Sequence, residues 1–407
     1  MKKIPHASRR DFLKTASAAV AAPYVITTAA LGNDKRPAAS ERIVVGGIGL
    51  GNMGSADLGY FLDRDDTQYV AVCDVKKNIR EASRNRVNGK YNNKDCKVLN
   101  DFRDLLALRD IDAVHIATPD HWHAYIAIAA CKAGKDVFCQ KPETRTLREG
   151  ALMVEAARRY SRVFSGGSQR VLEDYRAIVD PCWDGKLGKI KSINVQVGAP
   201  SEQCYLGSQT VPADVDWDMW LGPAPWAPYH EYRISGSYDV EKKVCWRAWK
   251  DYSGGLMTDW GAHHMGGALF AVGLWEMQPT GVDYHNDKDG VWLSFPFANG
   301  TAVTLNRPKT EHLKIEGTPN DKQPAKPIPS YKGHGSITGD FLECVKTREK
   351  PFRDIQRAIN TMTVCHLALI AYDLKRSLKW DADKQVFAND AEANRFLDRA
   401  RREPWVL

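Results

Sequence analysis

After its first 30 residues the 407-residue chain has no segment apolar enough, for long enough, to span a bilayer, which takes about 20 consecutive apolar residues. No Cys-x-x-Cys occurs. The nine cysteines, an odd number scattered from Cys73 to Cys365, exclude a disulfide scaffold or a zinc ribbon and read as mostly buried thiols. No basic stripe with interleaved aromatics is present, so nucleic acid is not an expected partner. The formal net charge of +7 is partly local, because the first 30 residues carry +4 of it and the remainder only +3. Internal repeats and low-complexity tracts are absent. What is present is 43% hydrophobic and 26% charged residues, with 12 Trp, 15 Tyr and 12 Phe. That is the composition of a folded soluble protein with material for a core and for a ligand cleft. The length fits two domains or three.

The N-terminus reads as an address. Ser8-Arg9-Arg10-Asp11-Phe12-Leu13-Lys14 precedes a mild apolar run, Thr15 to Ala30, broken by Pro23. The paired arginines, the Phe-Leu and the trailing Lys are similar to a twin-arginine export signal. Residues 1–30 are therefore set apart from the fold, and residues 31–41 are a polar linker. The expectation is a protein carried by the twin-arginine export machinery to the periplasm or another extracytoplasmic space, and membrane-anchored if the signal stays uncleaved. That route carries proteins already folded, often around a cofactor.

From residue 42 to 166 short β-branched runs alternate with helical segments. Strands are expected at 42–45, 69–74, 112–117, 136–139 and from 163, and helices at 57–62, 76–88, 101–108, 122–133 and 146–160. The alternation predicts a doubly wound parallel sheet. After 167 the pattern changes to antiparallel strands at 190–197, 290–297 and 301–305, a long Pro- and Trp-rich loop region at 200–250, and helices at 335–346 and 355–378. The fold class is thus α/β followed by α+β, with an N-terminal domain at 42–166 and a second domain at 167–407.

Three clusters carry chemistry. Gly49-Leu50-Gly51-Asn52-Met53-Gly54 is a G-x-G-x-x-G between a strand and a helix, and Asp74 ends the next strand 20 residues on. That spacing is the fingerprint of a dinucleotide-binding turn: the glycines let a pyrophosphate approach a helix N-terminus, and the acid accepts from the ribose. A carboxylate there favours NAD, while Lys76, Lys77 and Arg80 leave NADP open. The second cluster lies at the carboxyl ends of two strands: Thr118-Pro119-Asp120-His121-Trp122-His123, then Gln140-Lys141-Pro142. Ligands bind at that edge of open α/β sheets, and the peptide before Pro142 admits either isomer. The third is Gly254-Gly255-Leu256-Met257-Thr258-Asp259-Trp260-Gly261-Ala262-His263-His264. Asp259 and His263 are four residues apart, on one helix face, so the carboxylate can orient the imidazole as a general base. His121, His123, His263 and His264 have no ligand spacing that points to a metal, and none is expected.

In this order and spacing the glycine loop, T-P-x-x-x-H, K-P and G-G-x-x-x-D-x-G-x-H resemble the Gfo/Idh/MocA oxidoreductases, and the resemblance spans about residues 42–405. The D-W-G-A-H-H run and the Lys379–Trp405 pattern are most like the exported members. The resemblance implies a Rossmann domain and an open, mainly antiparallel sheet domain. It also implies a tightly held nicotinamide cofactor, a sugar, sugar derivative or cyclitol as substrate, and a homo-oligomer built on the open sheet face. Lys141, Asp259 and His263 are the implied catalytic residues. The implied cofactor site is Gly49, Gly51, Asn52, Met53, Gly54, Asp74, Thr118, Pro119, His123, Gln140 and Lys141. Gln169, Arg170, Trp246, Arg247, Tyr252 and His264 are candidates for the substrate wall. Two positions depart from the family pattern. Gln140 stands where an acid usually precedes the lysine, and Gly266 stands where an Asp often follows the histidine by three residues, on what is expected to be the pocket wall. Three functions follow: a CH–OH oxidoreductase with captive cofactor, an NAD-assisted glycosidase or lyase working by transient sugar oxidation, and a non-catalytic sugar-binding protein.

Overall fold

The structure, a computed structural model, describes residues 37–309 and 313–407. The twin-arginine segment and most of the linker lie outside the described residues. Of the leading segment, which separates from the body at Arg42, a single 3-10 turn at Ala39–Glu41 is described.

The body opens with β1 (Ile43–Ile48), α1 (Asn52–Leu62), β2 (Thr67–Cys73), α2 (Lys77–Tyr91), β3 (Lys97–Leu99) and α3 (Phe102–Leu106). It continues with β4 (Ala113–Ile116), α4 (Asp120–Lys132), β5 (Asp136–Cys139), α5 (Leu147–Arg159) and β6 (Phe164–Gly166). The six strands pair in parallel in the order β3-β2-β1-β4-β5-β6. The order reverses between β1 and β4, which leaves a crevice at their carboxyl ends. β4 and β5 are buried throughout, as strands covered on both faces must be.

The second sheet follows α6 (Arg170–Glu173) and α7 (Arg176–Trp183) and begins with β7 (Lys189–Val195). A long excursion, 196–255, holds α8 (Trp217–Leu221) and α9 (Glu231–Ile234) and returns to α10 (Leu256–Asp259) and α11 (Gly261–Ala271). Then come β8 (Gly281–Asp287), β9 (Gly290–Pro296), β10 (Ala302–Leu305), β11 (Leu313–Thr318), α12 (Ile337–Thr347), α13 (Ile355–Leu374), β12 (Leu378–Asp381) and β13 (Val386–Phe387). The sheet order is β11-β7-β10-β9-β8-β12-β13, antiparallel except where β10 meets β7. Its apolar face packs on α11 and α13, with Leu269, Phe270, Leu293, Phe295 and Met362 fully buried.

The sequence reading missed β3, β8, β11, β12 and β13, and ran the last long helix to 378. That helix stops at Leu374 because Lys375 takes a left-handed conformation, φ 54°, and closes it. All nine cysteines are free thiols and seven are buried. Among the described residues no helix is long and apolar enough to cross a membrane.

The turn from β1 into α1 fixes the crevice. Gly49 has φ +78°, and a Cβ there would lie 2.6 Å from the Thr118 amide nitrogen. A Cβ on Gly54 would lie 2.1 Å from the Gly49 carbonyl oxygen. Gly54→Ala therefore has to push strand and helix apart. It is expected to destabilise the fold by about 2 kcal/mol or more, measured by urea unfolding, with a matching loss of dinucleotide affinity.

Candidate active site

The crevice at the β1 and β4 ends is a cleft lined by Gly49, Gly51, Asn52, Met53, Asp74, Thr118, Pro119 and Gln140, and closed on the far side by Met219, Trp220, Ile234, Gly236, Trp246 and Arg247 from the excursion. Three features suit a dinucleotide. No side chain caps α1, so its first-turn amides are available to an anion. A Cβ on Gly51 would meet nothing within 4 Å, so there is room at the turn. The Thr118 hydroxyl is buried and without a partner. Asp74 Oδ2 accepts from the Leu50 amide at 2.8 Å and Oδ1 from the Lys76 amide at 2.9 Å, which leaves each oxygen capacity for a further bond. Burial pushes the Asp74 carboxyl up, and those two amides oppose it.

His123 does not line this cleft. Its Nδ1 meets the Pro142 carbonyl and its Nε2 the Thr118 carbonyl, each at 2.8 Å, and the ring is buried. Burial lowers its pKa, against the pull of both carbonyls. The residue expected at the cofactor is instead the tie between the Thr118-Pro119 turn and the Lys141-Pro142 turn, which is cis.

Lys141 and Asp259 meet at that tie. Lys141 Nζ donates to Asp259 Oδ1 at 2.7 Å and to its carbonyl at 3.3 Å. Arg247 Nε stands 3.7 Å from the same carboxylate. Burial works to raise the Asp259 carboxyl, but the Lys141 and Arg247 charges overcome it and leave it below the usual carboxylate range. The expected Asp259–His263 wiring is not what the structure contains. α10 ends at Asp259 and α11 begins at Gly261, so the two residues do not share one regular helix. The carboxylate goes to Lys141 and Arg247, and the imidazole goes to Ser168. Ser168 Oγ is 2.7 Å from His263 Nδ1 and donates toward the Ala262 carbonyl at 3.3 Å. Burial, then the charges of Lys141, Arg170 and Arg353, hold His263 well below the usual histidine range, so the ring is neutral.

Ser168 and Asp57 carry no signal in the sequence, and Asp120 stands there only as a member of the second cluster, with no role of its own. Asp57 accepts from Gln140 Nε2 at 2.7 Å and lies 3.1 Å from His115 Nε2, all three side chains being buried. Gln140 thus faces a carboxylate that α1 supplies. Asp120 accepts from Ser253 Oγ at 2.8 Å, and its other oxygen is buried without a partner. Burial and the charge of Asp259 push it up to about 7.

The substrate-wall candidates divide. The Arg247 guanidinium lies between the Tyr238 ring, 4.5 Å away, and the Trp246 ring, 4.2 Å away, at the cleft. Arg170 pairs with Asp174 at 2.5 Å and covers Trp260 at 5.3 Å; Trp260 is 38% exposed and also meets His264 at 5.3 Å. Gln169 Oε1 is buried without a partner. Tyr252 is fully buried between Trp220 and His121, behind the wall rather than in it. Gly266 also faces inward. A Cβ there would meet Val171 at 3.1 Å and the Arg353 guanidinium at 3.2 Å, so its lack of a carboxylate does not change the pocket wall. Among the described residues no three His, Cys, Asp or Glu side chains converge as metal ligands.

A parallel sheet with a glycine cradle at its carboxyl edge, joined to a mixed sheet that brings a second set of polar groups to that edge, is the architecture of the dinucleotide-binding oxidoreductases. The chain belongs to one family of them, Gfo/Idh/MocA: the family's NAD-binding Rossmann fold matches residues 43–168 and its C-terminal alpha/beta domain matches residues 201–407. A glycosyl hydrolase family 109 protein of Shewanella pealeana is 31% identical over 169 residues, 37% of this chain and 37% of that one. A levoglucosan dehydrogenase of Pseudarthrobacter phenanthrenivorans is 48% identical over 58 residues, 14% of this chain and 15% of the relative. The chain thus spans well under half the length of these curated relatives. Among solved structures, the WlbA dehydrogenase of Bordetella pertussis, in complex with NADH and UDP-GlcNAcA, aligns over 84% of this chain and all of its own, with TM-score 0.60 and 16% identity. At that identity the likeness is one of fold.

The Gln140–Asp57 bond generates a test. Gln140→Glu sets two buried carboxylates against each other, one of which must keep a proton. The variant is expected to lose about 1–3 kcal/mol of stability, and Asp57→Asn in the same chain is expected to recover most of it. Urea unfolding of the parent and the two variants measures this; a neutral Gln140→Glu would remove the pairing from the account.

Proposed function

We propose that the protein is an exported oxidoreductase that moves hydride between a CH–OH carbon of a sugar, sugar derivative or cyclitol and an NAD that it keeps between turnovers. The observation that carries this reading is the buried Lys141–Asp259 pair, next to the cleft residues Gln140 and Arg247, with the Ser168-held His263 near it. When bound, the nicotinamide supplies a two-electron hydride acceptor, and later a donor. The residues supply the rest. Lys141 has three ammonium protons; two are directed at Asp259, and the third is left for the substrate oxygen. It stabilises charge developing there. In the tautomer we assign, Ser168 donates to the Ala262 carbonyl and accepts from His263 Nδ1. That leaves the Nε2 lone pair of a neutral ring to take the hydroxyl proton. Gly49, Gly51 and the start of α1 receive the pyrophosphate and Asp74 the ribose. Lys76 Nζ is engaged by the Ile234 carbonyl at 3.2 Å, so NAD is preferred over its 2′-phosphorylated form.

Export rests on the Ser8–Lys14 motif. Beyond the cytoplasm a captive cofactor has to be regenerated in place, by a second sugar or by the return of hydride to the same substrate. The second route is the alternative reading, a glycosidase or lyase using transient oxidation, and the relatives named glycosyl hydrolase family 109 proteins favour it. The open face of the second sheet is the proposed homo-oligomer surface.

Two measurements test the proposal. Protein purified without added nucleotide, then denatured, is expected to release near-stoichiometric NAD or NADH. It is also expected to turn over sugar pairs or nitrophenyl glycosides with no net reduction; no dinucleotide, and no NAD binding on titration, would sink the reading. Lys141→Ala and His263→Ala are expected to keep the dinucleotide and lose turnover about 100-fold or more. Near-normal rates in both would show that the roles are misassigned.

A further inference from the structure

The excursion does more than complete the cleft wall. We infer that residues 214–236 are a clamp that locks the dinucleotide in place, an inference that rests on the NAD reading above. Two arms of this segment reach the two ends of the glycine-turn half of the site. The first arm meets the turn after Asp74: the Lys77 amide donates to the Asp214 carbonyl at 2.8 Å and the Asp216 amide to the Val75 carbonyl at 3.0 Å, as an antiparallel bridge between Lys76 and Val215. Asn100 Nδ2, just beyond β3, adds a bond to Asp216 Oδ2 at 2.7 Å. The second arm meets the helix start: Asn52 Nδ2 donates to the Gly236 carbonyl at 2.9 Å, and Lys76 Nζ to the Ile234 carbonyl. Beneath the arms, Met219, Trp220, Ile234 and Gly236 form the roof of the cleft whose floor is the glycine turn.

The middle of the segment is fixed. Trp122 Nε1 donates to the Met219 and Trp220 carbonyls at 3.0 and 3.1 Å, and Trp217 stacks on Trp220 at 4.9 Å. The arms, by contrast, hold the Rossmann domain by a few separate hydrogen bonds. A fixed centre with hydrogen-bonded arms can open at the arms without unfolding, and a ligand lying under both arms leaves only when they lift. Slow release in turn makes both half-reactions run on one bound cofactor, whatever second substrate restores it.

Asp216 is the test position, because it lies outside the cleft lining and its Oδ1 caps α8 through the Met219 amide at 3.1 Å. Asp216→Ser keeps a capping oxygen and is too short for Asn100; Asp216→Asn keeps the capping oxygen but turns an amide toward the Asn100 amide, so each variant keeps the cap and loses the bond from Asn100. Bound NADH is chased with excess NAD and its fluorescence loss followed, alongside thermal melting. Asp216→Ser and Asp216→Asn are both expected to release NADH at least ten-fold faster than the parent. Independently, hydrogen exchange of the parent's Lys77 and Asp216 amides is expected to slow at least ten-fold when NADH is added. Equal release from a folded Asp216→Ser, or exchange at those amides unchanged by NADH, overturns the clamp while leaving the NAD reading intact. A parent that binds no NADH overturns both.

Discussion

One ion pair holds the chemistry together. Lys141 stands at the carboxyl edge of the parallel sheet and Asp259 at the end of a helix in the second domain, and their side chains are only 10% and 8% exposed. Two charges taken that far out of water are costly unless each is matched. Here they are matched: the lysine donates twice to Asp259, and Arg247 adds a second positive charge to the carboxylate. Removing either partner strands a buried charge, so the relative position of the two domains and the protonation of the site are one constraint. Lys141 directs two of its protons at Asp259, and the neighbouring His263 is held well below the usual histidine range by burial and by the Lys141 charge. The same contact therefore sets a hydrogen-bond donor beside a neutral base.

The surroundings brace this contact. His123 ties the two turns that deliver Thr118 and Lys141, and Ser253 ties Asp120 at the start of α4 to the glycine pair that leads into α10. Arg247 is held by the Gly236 and Ser237 carbonyls, so the residue that neutralises Asp259 is also anchored to the segment roofing the cleft. The cofactor roof and the reacting end of the site are thus mechanically linked through one guanidinium.

What could be read in the sequence was local. The glycine turn, its strand and helix, and Asp74 lie within one βαβ unit, where spacing alone fixes geometry. Lys141 at a strand end was legible for the same reason. The errors come from contacts distant in the chain or from weak periodicity. Asp259 and His263 are four apart, but the helix breaks at Trp260, and their true partners, Lys141 and Ser168, are 118 and 95 residues away. Asp57 and Gln140 are 83 residues apart. Strand β8, Gly281–Asp287, is half exposed and reads GVDYHND, a polar string with no hydrophobic alternation. Its strand state comes from pairing with β9 and β12 rather than from its own residues.

The two departures from the family pattern both fall beside buried charges. A neutral residue before the lysine would remove an acid from the site if nothing replaced it. Asp57 sets a carboxylate from α1 directly against Gln140, and an amide is a side chain that can donate to it. Gly266 leaves Arg353 without a carboxylate from α11. Glu143 is buried with neither carboxylate oxygen hydrogen-bonded; burial pushes its carboxyl up, and the Arg353 charge opposes that rise. Arg353 in turn donates to the Ala262 carbonyl at 3.4 Å, the same carbonyl that receives Ser168. The Lys141–Asp259 and Ser168–His263 hydrogen bonds involve neither position, so the two departures alter the interior around the proposed reacting groups rather than the contacts of those groups themselves.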